Sequence, residues 1–126
     1  MKDIASREDI ELLVTEFYEK VRKNETLGYI FDDIMKIDWG HHTPILVDFW
    51  ESILLDTGSY TRNAMAEHFK VNQQIKLEPF HFTTWLSLFD STVDEFFKGE
   101  KAGLAKKRAH SVAQIIQLKL QQVNKQ

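Results

Sequence analysis

The chain has 126 residues, enough for one domain with a single core and too few for two, and no cysteine, which removes disulfides, thiolate catalysis, iron–sulfur clusters and Cys-based zinc sites together. Hydrophobic residues make up 43% and charged ones 28%, an ordinary globular balance. The formal charge is −3, with Lys106, Lys107 and Arg108 as the one basic tract, which argues against a nucleic-acid partner. Nine Phe, three Trp and three Tyr stand against two Pro and five Gly, so turn punctuation is sparse and long helices are favoured. No apolar run approaches a membrane span, and the N-terminal MKDIASREDIE is acidic and polar where a signal peptide is basic and then apolar; we therefore expect a cytoplasmic protein with no membrane partner.

In chain order, Ser6 with Asp9 resembles a capping box, and Ile10, Leu13, Val14, Phe17 and Val21 then recur at helical spacing, predicting a first helix of about four turns that ends between Asn24 and Gly28. Tyr29 to Ile37 reads as a turn of helix plus loop. A second helix carries Ile45, Leu46, Phe49, Trp50 and Ile53 on one face and stops at Asp56-Thr57-Gly58-Ser59. Pro44 leaves its start open: either Thr43 is the cap and His42 lies outside, or the helix begins near Asp38 and kinks. Arg62 to Phe69 can form two turns bearing Met65 and His68, followed by a loop from Lys70 to Lys76. Pro79 opens a long helix with Phe82, Trp85, Leu86, Phe89, Val93 and Phe96 on one stripe, closed by Gly99, and a last helix from about Lys101 buries Ala105, Ala109, Val112, Ile116 and Leu120. The fold class is all-α, as a single domain over 1–126.

Without cysteine, the five histidines are the first candidates for metal or cofactor ligation. His110 falls off its helix's apolar stripe and reads as solvated; His81 flanks a buried stripe and reads as a satisfied structural histidine. His68 sits on a helix too short to be stable unless something packs on it, and periodicity allows ligation as readily as a core or capping role. His42 shares a face with Ile45 and Phe49 if the helix is continuous. Tyr18 and Trp85 lie on core faces, and pattern alone reads them as large core residues whose polar tips need partners. Glu78-Pro-Phe-His81 has the Glu-x-x-His spacing of di-iron bundles, with Asp38-Trp-Gly-His41 an approximate second copy, but the helix stripes here are apolar where that site requires inward carboxylates. No nucleophile elbow supports a serine hydrolase.

Taken together, FYEKVRKNETLGYIF (17 to 31), WGHH and DFWESILL (39 to 55), GSYTRNAMAEH (58 to 68) and HFTTWLSLFDSTVDEFFKGEKAGLAKKRA (81 to 109) resemble the group III truncated haemoglobins, short bacterial globins folded as a two-over-two helical sandwich. The resemblance covers nearly the whole chain from Leu13 onward. It implies a haem b cofactor with His68 as the proximal iron ligand, Tyr18, His42 and Trp85 on the distal side, and Phe31 and Phe49 against the porphyrin. Pro44, two residues after His42, is a departure that would displace this histidine if the helix began at Thr43. The implied function is reversible binding of O2, NO, CO or similar small ligands at a His-ligated iron, with Tyr18 and Trp85 as donors and Phe17, Phe31, Ile45 and Phe49 as apolar walls. Two rivals are nitric oxide dioxygenation or peroxidase-like chemistry, which needs a separate reductase, and a haem-free globin-fold interaction module.

Overall fold

The computed structural model describes residues 1–56 and 76–124; the expected short helix with Ala64, Met65 and His68 lies outside the described residues. Helix α1 (Arg7–Lys23) starts where Ser6 accepts from the Asp9 N–H at 3.3 Å. The reciprocal half of the capping box is absent, because the Asp9 carboxylate instead accepts from the Ala5 N–H at 2.9 Å and pairs with Lys2 at 2.7 Å. Asn24 closes α1 and also caps α2 (Glu25–Gly28), its side chain accepting from the N–H groups of Thr26 and Leu27. The chain then widens into one π-helical segment (Tyr29–Ile34), whose closing bond runs from the Met35 N–H to the Ile30 carbonyl over 2.8 Å, and Lys36 turns it with φ 51°.

Helix α3 (Trp39–Leu55) resolves the ambiguity around Pro44: Asp38 is the cap, Pro44 lies inside the helix, and Asp56 ends it in the left-handed conformation. His42 is thereby carried on the continuous helix. Helix α4 (Pro79–Phe96) has Pro at its first position and ends at Phe97, three residues before α5 (Glu100–Asn124) begins. Gly99, expected as the helix closer, is instead the corner between α4 and α5 at φ 147°, where a Cβ would lie 2.5 Å from the Asp3 side chain.

Ile10, Leu13, Val14, Phe17 and Val21 of α1 are fully buried against α3 and α4, and the small residues Ala102, Ala105 and Ala109 let α5 lie close to the same core. The pair α1/α3 thus packs over the pair α4/α5, with a second apolar cluster of Phe82, Ala113, Ile116 and Leu120 at the far end of α4/α5. Helix α3 has two apolar faces where one was expected. Val47 and Leu54 enter the core, Ile45 faces a cavity described below, and Leu46, Phe49 and Trp50 reach both.

The N-terminal residues fasten this arrangement. Ile4 is buried, the Lys98 N–H donates to the Lys2 carbonyl, and the Asp3 carboxylate caps α5 by accepting from Lys101 (2.9 Å) and Ala102 (2.8 Å). Burial works against ionisation of Asp3, but the N–H groups of Lys101, Ala102, Ile4 and Glu100 outweigh it and hold its carboxyl below the usual carboxylate range. A carboxyl held low in the folded chain adds stability that is full above its unfolded pKa of 3.8 and lost as pH falls through the folded value. Asp3→Ala is therefore expected to cost about 1–2 kcal/mol in urea unfolding at pH 7. The difference from wild type should shrink below pH 4, and a constant difference down to pH 2 would exclude the cap as its source.

Candidate functional site

A cavity of about 340 Å³ opens between α1, the π-helical segment, α3, α4 and α5, within the range of small-molecule and cofactor sites. Its walls are mostly aliphatic and aromatic: Leu27 and Ile30 from one side, Ile45, Leu46 and Phe49 from α3, and Val112, Ala113 and Ile116 from α5. Of the residues proposed from sequence, Tyr18, Phe31, His42, Phe49 and Trp85 all line it, whereas His68 lies outside the described residues. Phe17 does not reach the cavity. It is fully buried one layer behind, edge-on to Tyr18 (4.6 Å), Trp85 (5.1 Å) and Phe89 (5.1 Å).

The aromatic residues fix one another's planes. Trp85 stacks on Phe89 at 5.5 Å and 8°, and Phe89 stacks in turn on Trp50 at 4.8 Å and 21°, so the indole is held from the core side. The Trp85 indole also lies beside the Tyr18 phenol, close enough to favour its ionised form weakly. Burial pushes the Tyr18 phenol up to about 12, with the neighbouring Trp85 indole pulling weakly the other way, so Tyr18 remains a protonated donor throughout the neutral range.

Sequence reasoning missed three contributors. His41 and His81 both line the cavity, and Trp39 stands behind Tyr18, Phe31 and His42 at ring distances of 5.4, 6.0 and 6.1 Å. His81 is buried and its Nδ1 accepts from the Glu78 N–H at 2.8 Å while the Glu78 side chain accepts in the opposite sense, a complete capping box. Burial lowers the His81 pKa, with the Glu78 contacts opposing. Both carboxylate-x-x-His pairs of the sequence are thus helix caps, Asp38 likewise accepting from the His41 N–H. Among the described residues no three His, Cys, Asp or Glu side chains gather as metal ligands. His110 is exposed, as its helical face implies, and pairs with Asp90 at 2.7 Å.

No family model matches the chain. The group 3 truncated hemoglobin ctb of Campylobacter jejuni is 31% identical over 114 residues, which cover 86% of this chain and 85% of that protein. The crystal structure of the group III truncated hemoglobin from Campylobacter jejuni superposes with a TM-score of 0.83 at 31% identity, covering 95% of each chain. The chain belongs to the group III truncated haemoglobins. As expected from sequence, its fold is that of a truncated globin, all-α, and the cavity lies between the two helix pairs of that sandwich. No helix among the described residues of this truncated haemoglobin is long and apolar enough to cross a membrane.

Proposed function

We propose that this truncated haemoglobin binds haem b in the cavity, with His68 as the iron's protein ligand, and takes up O2 and related diatomic molecules there. The observation that carries the reading is the convergence of two polar donors, Tyr18 and Trp85, on a cavity with mostly apolar walls in a chain of this family. The residues fit such a group. A flat apolar macrocycle needs broad hydrophobic walls, which Phe31, Phe49, Ile45, Val112 and Ile116 supply from three different elements. When bound, haem supplies an iron whose open coordination position takes a diatomic ligand.

The chain's own residues set how firmly such a ligand is held. Tyr18 offers its hydroxyl proton, Trp85 offers its Nε1–H, and His42 adds an imidazole on the α3 wall. Aromatic packing behind Tyr18 and Trp85 keeps these donors in place and limits entry of water from the core side.

The decisive experiment is the absorption spectrum of the reduced protein with and without carbon monoxide, for wild type and for His68→Gly supplied with haem. We expect a Soret band that shifts with carbon monoxide in wild type and is weakened or altered in the variant. A wild-type chain that shows no Soret band after haem is supplied would overturn the proposal, and an unaltered variant would remove His68 as ligand.

A further inference from the structure

Trp39 begins α3, and its position is set from outside the cavity. Its Nε1–H donates to Asp32 Oδ1 at 2.9 Å, and Arg22 Nε donates to the other oxygen, Asp32 Oδ2, at 3.2 Å. The Arg22 guanidinium also lies over the Trp39 ring, 5.3 Å from its centroid. One carboxylate thus joins the end of α1, the π-helical segment and the start of α3. Both side chains of the Arg22–Asp32 pair are partly exposed, so as an isolated surface ion pair it is worth little to stability. Its value lies in what it holds. The Trp39 ring meets Tyr18, Phe31 and His42 together, and all three of those line the cavity.

We infer that Trp39, latched by Asp32 and Arg22, is a positioning residue of the pocket, which fixes the attitude of the Tyr18 and His42 rings and thereby how strongly the pocket holds a polar diatomic ligand. The inference rests on the haem reading for its functional half and on the aromatic contacts alone for its structural half. A phenol hydroxyl sits at the far end of its ring, so a small rotation of Tyr18 about its base moves the donor by much more than it moves the ring. Freed from Asp32, the indole has no described hydrogen-bond acceptor to set its plane, and the Tyr18 ring loses a fixed neighbour on one side.

The test compares Asp32→Leu with Asp32→Asn. Asparagine keeps an oxygen to accept from Trp39 and loses the charge facing Arg22; leucine removes both. In the full chain without haem, nuclear Overhauser contacts between the Trp39 indole and the Tyr18 and His42 rings are expected to persist in wild type and Asp32→Asn and to weaken or vanish in Asp32→Leu. In the haem-loaded, carbon monoxide-bound protein, the carbonyl stretching band, which reports the polar groups facing the ligand, is expected to shift or broaden in Asp32→Leu only, with dioxygen release faster by roughly threefold or more. Unchanged ring contacts and an unchanged band in Asp32→Leu would overturn the inference. Should Asp32→Leu not fold, Trp39→Phe keeps a ring and loses the N–H, and a wild-type carbonyl band in that variant would overturn it equally. Failure of the haem reading would show separately, as a wild-type chain without a Soret band, while the ring contacts still decide the positioning role.

Discussion

Replacing Tyr18 by phenylalanine is expected to speed dioxygen release at least tenfold and to leave carbon monoxide release nearly unchanged. Ligated dioxygen draws negative charge onto its outer atom, so a donor facing it forms a charge-assisted bond worth about 1.5–3 kcal/mol, and about 1.4 kcal/mol is already tenfold in rate. Carbon monoxide draws little charge and has little to lose. Tyr18 lines the cavity with a hydroxyl proton to offer the ligand, and burial, which pushes the phenol up to about 12, keeps that proton on throughout the neutral range. Trp85 limits the effect: it lines the same cavity beside Tyr18, and its N–H can still turn to the ligand. Tyr18 and Trp85 should accordingly be coupled, with Tyr18→Phe/Trp85→Phe releasing dioxygen at a rate that differs from the product of the single effects. Stopped-flow displacement of dioxygen by carbon monoxide measures all three variants, and a Tyr18→Phe rate equal to wild type would remove this residue from ligand binding.

The second large effect is expected at Gly28, where a change of one methyl group meets backbone. A Cβ there would lie 2.4 Å from the Arg22 carbonyl oxygen and 3.1 Å from its carbon, and neither atom belongs to a side chain that could move aside. Gly28→Ala should therefore cost about 1–3 kcal/mol, the range for overpacking a closed site, read as a lower urea midpoint with unchanged slope. The strain would push α2 away from the end of α1 and carry Phe31 and Asp32 with it, so loss of stability should be accompanied by a shifted carbonyl band. A wild-type midpoint would mean that the α1–α2 junction relaxes freely.

Much of this was legible in the sequence, and the gaps have physical causes. Helical periodicity located α1, α3, α4 and α5, since each buries a stripe long enough to outweigh local ambiguity. Pro44 could not decide its own helix, because proline suits a first turn and so fits a start at Thr43, whereas the cap is Asp38, six residues earlier, and Pro44 sits in the second turn. Helix α3 was read as having one apolar face because periodicity merges neighbouring apolar positions; only packing separates Val47 and Leu54, which meet the core, from Ile45, which meets the cavity, with Phe49 touching both. Glu78 and His81 carried a metal-like spacing for a simpler reason: three residues is also the span of a capping box. Trp39 gave no signal, since its partners Asp32 and Arg22 become neighbours only through the π-helical segment and the turn after it. Tyr18, Phe31, His42, Phe49 and Trp85 came from family resemblance, and they share one cavity although three helices and the π-helical segment contribute them.

The contact between Asp3 and the start of α5 joins residues 98 and 99 positions apart in the chain. Closing so large a loop carries an entropic cost that few contacts repay early, so the bond should form only after the four long helices have gathered. An interaction absent from the folding transition state changes the rate of escape from the native state and leaves the rate of arrival untouched. The carboxylate at position 3 is thereby a brake on opening, and its loss should show as a steeper loss of protein to proteolysis when cleavage outpaces reclosing, with refolding half-times unaltered.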